Sequence, residues 1–302
     1  MRVSMSRKAT ILPVAIVVLS GLVGCNKASQ QKPSNPESQP ISRVDGGKPA
    51  SQPVPKKPAL GQPSRVTFLR VPQGGIQPQA VVDAKGTLHL IYFKGDKAVA
   101  GDLFYVRREA GTERFSDPIR VNSQPGSAIA FGTMRGGQIT LGKAGRVHVA
   151  WNGSGKDEQA RGMFYAHLND LGTAFEEQRN LMQGTALLDG GGSVAADGSG
   201  NVYVAWHAAK KDGEQDEGHR QVWVARSSDS GESISKEAPA WTEVTGACEC
   251  CGLRAFADSQ GSVYVLYRSA TAEVNRDVYL LSSNDKGKSF QGALIHKWNV
   301  PG

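Results

Sequence analysis

The feature that most constrains the fold of this chain is a phrase that recurs four times after residue 65. Each copy is an apolar strand, a small polar turn with glycine, and an alternating strand that ends in an aromatic residue. Aligned on Gly86, Gly145, Gly200 and Gly261, successive copies lie 59, 55 and 61 residues apart. Alternation with a period of two indicates a strand, and a glycine turn between two strands makes each phrase a hairpin.

A third apolar strand follows each hairpin at a steady offset, and a second turn then leads to a weaker fourth strand such as 118–121. The third strands are predicted at 103–106, 163–166, 222–225 and 278–281. A four-stranded repeat of this length cannot bury its own apolar faces, so neighbouring repeats must stack. The sequence therefore predicts an all-β fold, a β-propeller of four-stranded blades in which four blades are visible.

The second turn of each repeat carries the most specific motif, Ser-x-Asp-x-Gly-x-x-aromatic. Residues 283–290 match it completely, 227–234 match it with Ile in the aromatic position, and 168–175 lack only the Ser. An Asp carboxylate can accept backbone N–H groups across such a turn, and Gly adopts the positive φ that the turn requires. We therefore assign a structural role to these positions: Asp170, Gly172, Asp229, Gly231, Asp285 and Gly287.

Three copies of this motif in phase with a hairpin repeat resemble the Asp-box (BNR repeat) propellers of the bacterial sialidase superfamily, over about residues 66–302. The resemblance implies sialidase-like blades. Because such sialidases have six blades and four are counted, we expect the chain to be a fragment of a six-bladed propeller. A four-bladed ring is the alternative.

The first 24 residues are predicted to be a signal peptide, since a basic start precedes an apolar stretch at 11–23. The stretch ends in Leu-Val-Gly-Cys, which resembles the lipobox of bacterial lipoproteins. That resemblance implies cleavage before Cys25, lipidation of Cys25 and attachment to a membrane. We expect a place in the cell envelope, lipid-anchored at the outer membrane or cell surface of a bacterium. An ordinary signal peptide with a chance cysteine is the alternative.

Residues 25–64 follow the signal as a stretch rich in Pro, Ser, Gln and Lys, and they predict a disordered tether because they hold few large apolar residues. The first 65 residues also differ from the rest of the chain in net charge. Residues 1–65 hold ten Lys/Arg and two Asp/Glu, whereas the remainder holds 25 and 26. The predicted propeller, at 65–302, is close to neutral, so we expect no nucleic-acid partner.

The loops that enter each first strand, together with those that join second to third strands, converge on the face opposite the Asp-box turns. Sites favour converging loops, so we expect a glycan or protein ligand on this face, which we call the loop face. The candidate ligand-binding residues are Gln79, Lys94, Arg135, Asn152, Asp189, His207, Arg254 and Arg268.

An active exo-α-sialidase, cleaving terminal sialic acids with retention, is the alternative function that the sialidase resemblance implies. Residues 69–72 resemble the family's Arg-Ile-Pro motif, so Arg70 would bind the substrate carboxylate. Asp96 lies in the loop where the acid/base residue could fall. A glycan-recognising propeller without proven catalysis is the favoured prediction, because the pattern of active-site residues is incomplete.

A cluster of cysteines, Cys248, Cys250 and Cys251, directly precedes the first strand of the fourth blade. Cysteines of exported proteins normally form disulfides. A metal site is the alternative, because thiolates suit copper(I) or zinc. We expect no cofactor otherwise. The polar residues at 207–219 are predicted to form a solvated loop, with a metal site as the alternative.

Overall fold

A computed structural model describes residues 68–97, 99–132, 135–188, 190–272 and 275–298. By its internal contacts the chain divides after Arg65, and all described residues belong to the second unit. The predicted signal peptide at 1–24, Cys25 with the tether at 25–64, and Asp189 lie outside the described residues. In the described ranges, no helix is long and apolar enough to cross a membrane.

The fold is an all-β propeller of antiparallel four-stranded blades, as predicted, and the described residues contain four of them. In each blade the strands follow one another in chain order. Blade 1 contains β1 (Ile76–Val82), β2 (Leu88–Asp96), β3 (Ala100–Arg108) and β4 (Ile119–Arg120). Blade 2 contains β5 (Gly137–Leu141), β6 (Val147–Asn152), β7 (Met163–His167) and β8 (Arg179–Asn180).

The other two blades have the same order. A short strand, β9 (Thr185–Ala186), precedes blade 3 and pairs with the end of β11 (Val202–Lys210). Blade 3 contains β10 (Ser193–Ala196), β11 (Val202–Lys210), β12 (Gln221–Ser227) and β13 (Ala238–Pro239). Blade 4 contains β14 (Arg254–Ala257), β15 (Val263–Arg268), β16 (Val278–Ser283) and β17 (Gln291–His296). The first strands lie side by side in the order β1, β5, β10, β14.

Alternating side chains of adjacent blades bury each other in three apolar clusters. Phe93 and Tyr105 of blade 1 pack with Trp151 of blade 2, and Met163 of blade 2 packs with Trp206 of blade 3. The third cluster, between blades 3 and 4, includes Tyr203, Val224, Val265, Tyr267 and Leu281. The large aromatic residues that end each second strand therefore hold the stack together, because each contributes an extensive apolar surface to the interface.

Blades 1 and 2 each contain a buried histidine–tyrosine pair, at equivalent positions of the repeat. His89 of β2 hydrogen-bonds the hydroxyl of Tyr105 at 2.7 Å, and His148 of β6 bonds the hydroxyl of Tyr165 at the same distance. Burial raises the pKa of Tyr105 to about 12 and lowers the pKa of His148 to about 3. Each pair thus satisfies the histidine Nδ1 and the tyrosine hydroxyl inside the stack, whereas Nε2 of both histidines has no hydrogen-bond partner among the described residues.

The Asp-box turns of blades 3 and 4 are built alike. The Asp285 carboxylate accepts the backbone N–H of Ser289 at 3.0 Å and the hydroxyls of Ser283 and Ser289 at 2.7 and 2.6 Å. Ser283 Oγ in turn accepts the N–H of Gly287 at 2.8 Å, and Gly287 has a φ of 70°. Asp229 makes the corresponding bonds, which hold its pKa at about 2. These carboxylates are hydrogen-bond acceptors of the turn.

The turn of blade 2 differs from the predicted one. Asn169, and not Asp170, accepts the backbone N–H groups of the turn, from Thr173 at 3.0 Å and Ala174 at 3.4 Å. The turn is one residue longer between its acceptor and Gly172, so the side chain that faces the turn shifts by one position. Asp170 points outward, where it is 83% exposed and paired with Arg146. The structural role predicted for Asp170 is therefore corrected to Asn169.

Candidate binding site on the loop face

The loop face carries a continuous line of contacts across blades 2, 3 and 4. Asn152, the last residue of β6, donates from Nδ2 to the carbonyl oxygen of Gly190 at 2.8 Å. His207 of β11 donates from Nε2 to the carbonyl oxygen of Cys251 at 2.7 Å. Gly190 lies between these bonds with a φ of 60°, and a Cβ there would be 2.2 Å from the Cys251 oxygen and 2.6 Å from His207. Only glycine fits this position.

His207 is a neutral, buried donor at neutral pH. It is 2% exposed, and burial lowers its pKa to about 4, despite the opposing bond to Cys251. Because a carbonyl oxygen can only accept, the proton of the neutral ring lies on Nε2. The Nδ1 atom has no hydrogen-bond partner among the described residues. The positive charges of Arg220 and Arg135 lie close enough to lower the pKa further.

The three clustered cysteines form the cysteine loop, residues 248–251. They are free thiols in the structure. Their Sγ atoms are 3.0 Å apart for Cys248 and Cys251, 3.4 Å for Cys248 and Cys250, and 4.0 Å for Cys250 and Cys251. Cys248 is buried and Cys250 is exposed. All three sulfurs thus converge on one point that opens to solvent on the Cys250 side.

Glu217, in the loop before β12, hydrogen-bonds both the cysteine loop and a neighbouring arginine. Its Oε1 accepts the backbone N–H of Glu249 at 2.7 Å, and its Oε2 accepts from Arg276 Nη2 at 2.7 Å. Arg220 Nη2 lies 3.0 Å from Oε2 of Glu249. Glu249 is therefore held through both its backbone N–H and its carboxylate, which restrains the cysteine loop.

Arg268, the last residue of β15, connects the cysteine loop to an aromatic ring. Its Nη1 lies 3.5 Å from the Sγ of Cys251, and its guanidinium lies over the Trp298 ring at 5.8 Å from the centroid. Trp298 is 48% exposed, and Asp277 fixes it by accepting its backbone N–H at 2.7 Å. A cation over the face of tryptophan is a favourable pair. The result is a half-buried guanidinium beside an exposed ring.

Arg254, the first residue of β14, stands on the same sheet face as Arg268. It pairs with Leu266, two residues before Arg268 on β15. Residues in such a diagonal relation lie about 7–8 Å apart and can share a ligand. The same face of blade 4 also exposes Phe256 and Leu266. Two guanidinium groups and an aromatic ring therefore occupy the loop end of this blade.

Four predicted residues belong to blade 1 or to the segment that precedes it. Lys94 donates to the side chain of Gln73 at 3.0 Å, and Gln79 pairs with Ile91 inside the sheet. Arg70 is exposed in the segment before β1, and Asp96 is the last residue of β2. The structure thus brings together Asn152, His207, Arg268 and the three cysteines, with Arg135 near His207. The catalytic roles of Arg70 and Asp96 stay predictions.

Sequence reasoning missed three residues of this site. Gly190 and Glu217 act through contacts with Cys251 and Glu249, which are far from them along the chain. Trp298 lies after the last strand, where no repeat marks it. The only available signal was the polar loop at 207–219, which contains Glu217. In that loop Glu214, Asp216 and His219 also meet, with His219 Nδ1 2.8 Å from Asp216, but all three are exposed.

A large cavity opens on the Asp-box face instead, where the first strands of all four blades converge. It has a volume of about 680 Å³ and is lined mainly by apolar side chains, among them Val81, Leu141, Val194 and Phe256. A binding site for a polar ligand needs a few converging polar groups. We place the candidate site on the loop face, because the converging charged and aromatic groups are there.

No protein-family model matches the sequence, and none of the curated proteins matches it. Solved structures do match. A protein of unknown function from Dyadobacter fermentans is 16% identical, with 73% of this chain and 68% of that chain covered and a TM-score of 0.49. An α-L-arabinofuranosidase from Fusarium graminearum is 13% identical over 73% and 65%, with a TM-score of 0.49. The NanB sialidase from Streptococcus pneumoniae is 11% identical over 63% and 27%, with a TM-score of 0.43.

Proposed function

We propose that this protein is an envelope-anchored lipoprotein with a sialidase-like Asp-box propeller that binds an acidic glycan on its loop face. The pair formed by Arg268 and Trp298 carries the proposal, because it places a guanidinium beside an exposed aromatic ring at the loop end of blade 4. Arg254, on the same sheet face, adds a second positive charge.

The chemistry of these groups matches an acidic sugar. The flat face of an indole packs against the C–H face of a pyranose ring, and burying that contact is favourable. A guanidinium offers parallel N–H donors to a carboxylate, which makes a strong, directional bond. Arg268 uses Nη1 and Nε toward Cys251 and the Arg276 carbonyl. Its planar fork is thereby held in one orientation.

The predicted lipid anchor and tether support binding close to a membrane surface. A lipid on Cys25 and a tether at 25–64 would hold the propeller near a membrane, with a reach of roughly 35 Å for a flexible chain of that length. Glycans of the cell surface or of neighbouring cells are accessible from there. The folded part has almost no net charge, so selectivity for an acidic ligand must come from the local arginines rather than from long-range attraction.

Binding is proposed in preference to sialidase hydrolysis because the carboxylates at this site have structural partners. Glu217 accepts from Arg276 and Glu249, and Asp277 accepts from Trp298. Hydrolysis with retention needs one carboxylic acid that donates a proton and a nucleophile on the other side of the bond. Arg70 lies in the segment before β1 and Asp96 at the end of β2, whereas the site is built by residues of blades 2 to 4.

A glycan array probed with the detergent-solubilised full chain tests this proposal. We expect binding to carboxylate-bearing glycans and weak binding to their neutral counterparts. Trp298→Ala should remove the signal, and Arg120→Ala, which changes an exposed arginine of blade 1, should leave it unchanged. Equal binding of neutral and acidic glycans would contradict the proposal. Release of sialic acid from a fluorogenic conjugate would favour the enzymatic alternative.

A further inference from the structure

The three sulfurs of the cysteine loop are spaced for a shared ion. Thiolates bound to one metal at about 2.3 Å lie roughly 3.8–4.0 Å from each other. Cys250 and Cys251 already have this separation, at 4.0 Å. The two distances from Cys248, at 3.4 and 3.0 Å, require the sulfurs to move apart by less than about 1 Å. Side-chain rotation of the exposed Cys250 and half-buried Cys251 can supply that change.

We propose that Cys248, Cys250 and Cys251 form a three-coordinate binding site for copper(I). Thiolates are soft ligands, and they select copper(I) and zinc over harder cations. Structural zinc takes four protein ligands in a tetrahedron. Among the described residues, the group of donor atoms at this point consists of the three sulfurs alone. A set of three thiolates therefore suits copper(I), which binds three sulfurs in a plane.

The charges around the site suit an anionic metal complex. Three thiolates and one copper(I) ion carry a net charge of −2. Arg268 lies 3.5 Å from the sulfur of Cys251. Arg276, which Glu217 holds at 2.7 Å, is a second cation near Cys248 and Cys250. Adjacent guanidinium groups stabilise such a negative complex.

The loop holds the thiols in place without an ion. The backbone N–H of Cys248 bonds the Arg268 carbonyl at 3.0 Å, the N–H of Glu249 bonds Glu217, and the carbonyl of Cys251 accepts from His207. Three of the four loop residues thus have a fixed backbone partner. Preorganised ligands lower the cost of binding. Exposed Cys250 leaves a path by which the ion can enter.

A disulfide between Cys248 and Cys251 is the competing state of the same atoms. It would need the two sulfurs to close from 3.0 Å to about 2.05 Å. It would also leave Cys250 as a lone thiol 3.4 Å from Cys248. A disulfide uses two sulfurs, whereas the geometry brings three to one point. We favour the copper site because it uses all three sulfurs as ligands.

The test uses the full chain in detergent, reduced and kept free of oxygen, and titrated with copper(I) held by a coloured chelator. We expect one copper(I) per chain, absorption from thiolate-to-copper charge transfer, and X-ray absorption with three sulfur neighbours. Cys248→Ser, Cys250→Ser and Cys251→Ser should each weaken binding at least tenfold. Ser199→Ala, an exposed change on the Asp-box face, should bind as the wild type does.

Circular dichroism of every variant separates loss of the site from loss of the fold. A variant that melts like the wild type but binds copper(I) weakly supports the proposal. Three results would overturn it. The first is a disulfide, seen as a mass 2 Da below that of the reduced chain, with one alkylatable thiol and no retained copper. The others are binding of zinc in preference to copper(I), and unchanged copper(I) binding in all three cysteine variants.

Discussion

His207 Nε2 donates to the carbonyl oxygen of Cys251 across 2.7 Å, and this bond joins the second strand of blade 3 to the loop that enters blade 4. It fixes both the tautomer of the ring and the position of the cysteine loop. Because Gly190 packs against the same two residues, the bond also positions the loop that enters blade 3. The loop face of three blades therefore depends on one buried histidine.

Replacing that histidine should loosen the cysteine loop. His207→Ala removes a donor and a buried ring, and we expect a loss of about 2–4 kcal/mol in the free energy of unfolding. His207→Gln keeps a donor and should lose less. Urea denaturation measures both values, and the alkylation rate of Cys251 should rise more in the Ala variant. Equal stability and equal alkylation in the two variants would argue against the bond.

Acid should destabilise the propeller between about pH 6.5 and pH 4. Burial lowers the pKa of His148 to about 3 and of His207 to about 4, so in this range the unfolded chain binds more protons than the folded one. Stability must then fall as pH falls, by about 1.4 kcal/mol per pH unit for each histidine.

Urea midpoints at pH 7.5, 6.0 and 4.5 check this slope. Asp229, whose pKa is lowered to about 2, acts in a separate window, because its contribution is lost only below about pH 4. His207→Gln should flatten the profile. A profile that is flat for the wild type from pH 6.5 to 4.5 would contradict the neutral, buried state of both histidines.

The corrected turn of blade 2 predicts a contrast between two motif positions. Ser283→Ala leaves the buried N–H of Gly287 without its acceptor and should lower the free energy of unfolding by about 1–2 kcal/mol. Asp170→Ala removes an exposed carboxylate and leaves Arg146 paired with Glu232, so it should stay within about 0.5 kcal/mol of the wild type. Asn169→Ala should resemble the Ser283 variant in direction. Urea denaturation of the three variants is the measurement, and a large loss for Asp170→Ala would contradict the correction.

Two tryptophans should separate the fold from the binding site. Trp206 is fully buried between blades 2 and 3, so Trp206→Ala should cost about 3–5 kcal/mol. Trp298 is about half exposed, so Trp298→Ala should leave the melting temperature nearly unchanged while it removes glycan binding. Thermal melts and the glycan array measure the two effects. Coupled loss of stability and binding in Trp298→Ala would show that the residue is structural.

The blades could be predicted from the sequence because their signals are local. Alternation, glycine turns and the Asp-box positions at Asp229 and Asp285 all lie within a few residues of the bonds that they make. The turn of blade 2 could not be predicted, since Asn169 and Asp170 are adjacent and both can accept N–H groups. A one-residue change in turn length decides between them.

The site was only partly predictable, because its contacts join residues that are far apart in the chain. His207, Arg268 and the cysteines stood out by chemistry or by position in the repeat. Gly190, Glu217 and Trp298 acquire their roles from the packing of different blades. Nothing in the spacing of the sequence shows which loop of one blade meets which loop of the next.

Calorimetric titration of the full chain with an acidic oligosaccharide, tetragalacturonate or 3′-sialyllactose, tests the central claim most directly. Carboxyl-reduced oligosaccharide and lactose are the matched neutral ligands. The proposal predicts saturable binding of at least one acidic ligand at one site, at least tenfold weaker binding of its neutral counterpart and of the Arg268→Ala variant, and unchanged binding by Arg120→Ala. Acidic binding that survives both Arg268→Ala and Trp298→Ala would place the glycan site elsewhere and contradict the account.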